Sequence, residues 1–163
     1  MFALIFGLSF LANAQDVQKD QPKGYQFTDI KRLPATSVKD QARAGTCWSW
    51  SGISFFESEM IRMGKEPIDL SAMYIVRHAY SDKATKFVRL HGSMNFAVGG
   101  AFCDVMHVIK NYGIVPMDVY KGLNYGEPNH AFGEIDDVLA GYINAVIKNS
   151  NKKLSTAWKK GFD

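Results

Sequence analysis

The sequence predicts a chain of the α+β class in which helices carry most of the core. Apolar residues recur at three- and four-residue steps in several separate stretches, while one short stretch alternates with period two. Of the 163 residues 47% are hydrophobic, enough to bury one core and too many for a disordered or fibrous chain. The 19 basic and 16 acidic residues leave a net charge of only +3, too even a balance to point to a nucleic-acid partner. Internal repeats, low-complexity runs and phosphate-binding glycine loops are absent from the sequence.

Residues 1–11 form an apolar run that ends in Ala12-Asn13-Ala14 and then turns polar, the shape of a signal peptide cleaved after Ala14. The run is too short to span a bilayer, so export without a membrane anchor is expected, although no basic residue precedes it. Residues 15–24 read as a flexible mature N-terminus. Residues 25–30 alternate apolar and polar and predict a short half-buried strand, closed by Pro34. From Cys47 the positions Trp50, Ile53, Phe56 and Met60 mark one face of a helix, with Gly64 as its stop. Trp48 and Trp50 are expected to wedge this helix into the domain.

A second helix is predicted to begin after Ser71, a good N-cap, with Leu70 and Ile75 placed for a hydrophobic staple, and to run to about Tyr80. Residues 82–90 add a further helical turn or two before His91-Gly92. After Gly99-Gly100, the positions Phe102, Val105, Met106, Ile109 and Tyr112 predict a third helix ended by Gly113. A glycine-punctuated loop over residues 122–133 contains His130. Ile135, Val138, Leu139, Tyr142 and Val146 then mark another helix, and Leu154, Trp158 and Phe162 follow at steps of four in a lysine-rich tail, as on a helix whose apolar side lacks a partner.

The chemistry is concentrated in Gln41-Ala42-Arg43-Ala44-Gly45-Thr46-Cys47-Trp48-Ser49-Trp50. A free thiol ionises near pH 8.5 and is a weak nucleophile until its thiolate is stabilised, which the unpaired N–H groups and partial positive charge of a helix's first turn can do. Cys47 is placed for that. Gly45 permits a tight bend just before the helix, and the side-chain amide of Gln41 can donate to an oxyanion. The other cysteine, Cys103, shares a helical face with His107, but two ligands make no metal site. Two cysteines make no disulfide framework, so neither a structural disulfide, a metal nor a cofactor is expected.

This stretch resembles the active-site signature of papain-like cysteine peptidases, in which a glutamine stands six residues before the nucleophile and a tryptophan follows it. Leu70-Ser71-Ala72-Met73-Tyr74-Ile75-Val76, Gly99-Gly100, Tyr112-Gly113-Ile114-Val115-Pro116 and Tyr120 continue in that family's order. Ala44, where secreted relatives carry a disulfide cysteine, and the phrases at residues 74–82 and 122–125 are similar to the bleomycin hydrolase and aminopeptidase C branch. The resemblance covers residues 25 onward. It implies a helical left domain over residues 25–121, followed by a truncated helical insertion over residues 122–163, with the β-barrel right domain largely missing. It further implies a peptide substrate held along Gly99 and Gly100, and assembly into rings of subunits.

A cysteine nucleophile of this kind needs an imidazole to carry protons and a group to orient it. In papain relatives these lie about 130–150 residues after the cysteine, and only 116 residues follow Cys47 in this chain of 163. None of His78, His91, His107 and His130 stands in a matching context. The chain is therefore expected to be the N-terminal portion of an exported cysteine aminopeptidase, inactive by itself. The competing expectation is a non-catalytic papain-like module for peptide binding or assembly.

Overall fold

A computed structural model describes residues 24, 25, 27–150 and 153–163. The expected signal peptide, and all of the expected flexible N-terminus except Gly24, lie outside the described residues. The chain divides into two compact units, residues 1–32 and residues 33–163. In the first, the described residues form no regular structure, with Tyr25 and Phe27 both exposed. The strand expected over residues 25–30 is thus not found among them. Alternation favours a strand only where a neighbour accepts its hydrogen bonds, and none does so here.

The second unit contains helices α1 (Cys47–Arg62), α2 (Ala72–Arg89), α3 (Phe102–Tyr112), α4 (Gly133–Ile147) and α5 (Ala157–Phe162). Its β content among the described residues is limited to two isolated bridges, Arg43 with Ala131 and Leu70 with Pro116. A mainly helical unit with almost no strand is consistent with the helical left domain expected within the α+β class. Helices α1, α2 and α3 pack on one another, α4 lies on α2, and α5 on α4.

Three helix ends have a local cause. The N-terminus of α2 is capped by Ser71, whose Oγ accepts from Tyr74 N at 3.0 Å. Helix α1 ends in a Schellman turn: Gly64 at φ +76° donates to Ile61 O and Lys65 donates to Met60 O, both at 2.9 Å. The same pattern ends α2, but there the left-handed position is held by His91 at φ +50°. The two helical pieces expected over residues 71–80 and 82–90 form this one continuous helix. Ser81 and Asp82 lack the glycine or proline that would stop it, and the Thr85 hydroxyl bonds back to Ser81 O at 3.1 Å.

The main core gathers Trp48 and Ile53 of α1, Met73, Ile75, Val76 and Tyr80 of α2, and Val105 and Val108 of α3. Gly52 lets α1 approach α3, since a Cβ there would lie 2.8 Å from Val105 Cγ2. A second cluster joins Phe87 and Val88 of α2 to Ile143 of α4. Trp158 and Phe162 pack against it, so the C-terminal apolar side expected to lack a partner has one. Only Ile143 of α4 is buried, while the expected stripe residues Ile135, Val138 and Tyr142 remain exposed. Asp136 joins the helices by accepting from Tyr80 Oη at 2.7 Å.

Candidate active site

Cys47 is the first residue of α1, and its free thiol is exposed. The preceding Thr46 is fully buried and offers no side-chain cap; its hydroxyl instead accepts from Trp50 Nε1 at 3.2 Å. Thr46 O receives the amides of Ser49 and Trp50 at 2.9 and 3.4 Å. The amides of Cys47 and Trp48 have no acceptor among the described residues, so the helix opens with two uncommitted N–H donors beside the thiol.

The approach to the helix is a tight turn. Ala44 N donates to Gln41 O at 3.1 Å, and Ala42 N donates to Asp40 Oδ1 at 2.7 Å. Within it Ala42 takes φ +49°, a left-handed conformation that costs a non-glycine residue of order 1 kcal/mol. The turn is held in place by residues 130–132: Arg43 N donates to His130 O at 2.9 Å and Phe132 N to Arg43 O at 3.2 Å. Gln41 is half-buried, and its Oε1 is enclosed without a hydrogen-bond partner among the described residues. Its amide is thus committed to no protein group.

The glycine pair lies against the same helix start. Trp48 donates from Nε1 to Val98 O at 2.9 Å, and a Cβ on Gly100 would sit 2.5 Å from Trp48 Cε2, inside the indole. Gly100 is therefore required for the chain to lie flat on Trp48. Gly99 is open, with nothing near its Cβ position. Gly45, at φ +65°, would bring a Cβ to 3.1 Å from Val98 Cγ2. The structure thus gathers Gly45, Cys47, Trp48 and the Val98–Gly100 edge around one helix end, with Gln41 in the turn leading to it. Trp48 and Trp50 have the expected packing role, but each is also a hydrogen-bond donor, Trp48 to the loop at Val98 and Trp50 to the N-cap Thr46 of its own helix.

Three of the four histidines, His78, His107 and His130, make ring or hydrogen-bond contacts with residues other than Cys47. His78 lies between the rings of Tyr74 and Tyr112, with centroids 4.4 and 4.3 Å away, and burial holds it below the ordinary histidine range. His107 Nε2 meets Asp82 Oδ2 at 3.1 Å, and Asn111 bonds its other nitrogen at 3.3 Å. His130 is buried with Nδ1 unpartnered, its ring edge-on to Trp50 at 5.6 Å, and burial holds it too below the ordinary range. No hydrogen bond of the described residues joins any histidine to Cys47.

Lys83 of α2 was not singled out by the sequence. It lies 5.4 Å from the Trp48 ring centroid, donates to Gly99 O, and reaches Ala97 O at 3.4 Å. The available signal was its position on the buried stripe Val76, Ala79, Tyr80, Phe87, where a charge is out of pattern.

A separate groove of about 1410 Å³ opens between α2, α4 and α5, lined by Tyr80, Tyr120, Tyr125, Phe132 and Phe162 among others. The thiol is not part of it. No helix of the described residues is long and apolar enough to cross a membrane. The sequence model of the papain family of cysteine proteases matches residues 22–156. No curated protein matches the chain.

Proposed function

Because the chain belongs to the papain family of cysteine proteases, we propose that Cys47 is the nucleophile of a thiol peptidase and that Gln41 supplies one donor of its oxyanion hole. The observation that carries this reading is the exposed thiol at a helix start whose first two amides are uncommitted. The thiolate sulfur attacks the scissile carbonyl carbon, and the carbonyl electrons move to oxygen. That oxyanion is met by the Cys47 N–H and the Gln41 amide. Collapse of the tetrahedral adduct breaks the C–N bond, the leaving amine takes a proton from water, and a thioester remains for a further water to hydrolyse. Gly99 and Gly100 form an edge along which an extended peptide backbone can lie, since neither projects a side chain.

The finer reading is an exported aminopeptidase of the bleomycin hydrolase and aminopeptidase C type. It rests on Ala44 in the position before Gly45 and on the phrases at residues 74–82 and 122–125. Turnover by such a thiol further requires an imidazole to carry protons, and no hydrogen bond of the described residues joins a histidine to Cys47.

A thiol-reactive peptidyl epoxide followed by mass mapping of the adduct tests the assignment. Modification is expected at Cys47 and should vanish in C47A. An adduct at Cys103 with Cys47 untouched would overturn it and favour the non-catalytic module.

A further inference from the structure

We propose that Lys83 is a positioning residue for the peptide-binding edge, its ammonium fixing the backbone of residues 97–99 so that Gly99 and Gly100 lie in register with the thiol. This rests on the reading of Cys47 and the glycine pair given above.

Three consecutive carbonyls run along this edge, and all three are taken. Lys83 Nζ donates to Gly99 O and reaches Ala97 O at 3.4 Å, while Trp48 Nε1 donates to Val98 O at 2.9 Å. Both donors belong to helices of the core. Trp48 belongs to α1, next in sequence to the nucleophile, and Lys83 to α2, so the edge is pinned to the two helices that pack around the site.

The ammonium also stands over the Trp48 ring at 5.4 Å and the Tyr80 ring at 5.7 Å, where the ring faces attract a cation. Gly100 lies against the same indole, where a Cβ would sit 2.5 Å from Cε2. Lys83 and Gly100 therefore both meet Trp48, and loss of the cation would free residues 97–99 to move relative to α1. A lysine spent only on surface solvation would extend into water. This one is half-buried and turned inward.

Peptide alignment and thiol reactivity can be read separately. The experiment compares alkylation of the intact chain at Cys47 by a dipeptidyl chloromethyl ketone and by iodoacetamide, scored as the ratio of the two rates. Any change in the thiolate itself cancels in that ratio. Wild type is expected to prefer the peptidyl reagent, K83M to lose roughly ten- to a hundredfold of that preference, the scale for misplacing a bound group by about 1 Å, and K83R to retain most of it. A preference that persists in K83M overturns the role of Lys83 while leaving the peptide edge standing. Absence of any preference in wild type removes the peptide edge, and this proposal with it.

If K83M does not fold, the wild-type ratio is followed against pH. Burial foremost holds Lys83 below the ordinary lysine range, opposed by Asp104 of α3 and Asp136 of α4 and aided by Lys86 of its own helix. The neighbouring Tyr80 phenol is pushed well above the usual tyrosine range, first by burial and then by Asp136, so it stays protonated. The preference is expected to fall as pH approaches about 10.4, and a flat ratio through that range overturns the proposal.

Discussion

The Lys39 ammonium meets the Glu57 carboxylate at 2.5 Å, with the Glu57 side chain fully enclosed and that of Lys39 only 16% exposed. The carboxylate also accepts from Leu70 N at 2.7 Å and from the Thr36 hydroxyl, so one buried group ties residues 36–39 and residue 70 to α1. Lys39 stands two residues before Gln41, and this anchor therefore sets where the turn begins. Removing one partner of a buried pair leaves a charge uncompensated, and K39M is expected to cost about 3–5 kcal/mol. D69N removes the second partner of Lys39, at 2.9 Å but more than half exposed, and should cost about 0–1 kcal/mol. Urea denaturation of both variants checks the ordering.

The same cluster sets a limit at high pH. Burial alone would lower the Lys39 pKa, but hydrogen bonds and charges from Glu57 and Asp69 together raise it above the ordinary lysine value. A group raised in the folded state contributes stability that is complete below its unfolded pKa, near 10.4, and is lost as pH rises through the folded value. Melting temperatures are expected to fall above about pH 10.4 in wild type, and this contribution should be missing from the melting profile of K39M. A wild-type profile that matches K39M there would contradict the assignment.

The closeness of α1 and α3 yields a prediction about packing. Alanine is the better helix former by roughly 0.5–1 kcal/mol, yet position 52 is glycine because a Cβ would lie 2.8 Å from Val105 Cγ2 and 3.3 Å from its Cβ. G52A is expected to destabilise by about 1–3 kcal/mol through overpacking. V105A alone should also destabilise, by leaving a void. The double variant should be more stable than the sum of the two, because the added methyl fills the space vacated. Additive losses in denaturant midpoints would show that the two positions do not touch.

The helices were legible because their apolar spacing and caps are local properties: Ser71 and Gly64 act at the ends where the sequence placed them. The break after Tyr80 was misread because a polar pair such as Ser81-Asp82 resembles a boundary, whereas a long helix buried on one side carries it without cost. The strand expected at residues 25–30 is not found among the described residues, because pairing is non-local. At the site, Cys47, Gln41 and the glycine pair stood out by spacing and by resemblance. Lys39, Glu57 and Lys83 did not, since each is an ordinary surface residue until its partner, 14 to 18 positions away, is known. Glu57 carried a readable sign: it falls four residues after Ile53, on the buried face of α1.

Gln41 makes a separable prediction about the oxyanion. A peptidyl aldehyde adds reversibly to the Cys47 thiol to give a hemithioacetal whose oxygen occupies the oxyanion position. Q41A should weaken that adduct roughly a hundredfold, the scale for losing one donor of such a hole, while leaving alkylation by iodoacetamide unchanged because that reaction forms no oxyanion. Q41E, which replaces the donor by an acceptor, should weaken it at least as much. Equal affinities in wild type and Q41A would remove Gln41 from the mechanism.

His130 couples acidity to the turn that carries Gln41. Its backbone oxygen accepts from Arg43 N at 2.9 Å, its ring is buried against Trp50, and no group pairs with Nδ1 among the described residues. Burial lowers its pKa, so the folded state holds it neutral where the unfolded chain binds a proton. Stability is thus complete above the unfolded value, near 6.5, and declines as pH falls through it toward the folded value. H130Q, which cannot take up a proton, is expected to flatten this decline between about pH 6.5 and the onset of carboxylate titration. Denaturation followed at a series of pH values in both proteins checks it, and parallel curves would show that the imidazole does not titrate on unfolding. Because residues 130–132 hold Arg43, the same acid shift should loosen the turn before α1, and hydrogen exchange at Arg43 N and Ala44 N is expected to quicken, relative to its intrinsic rate, in wild type before the helices open.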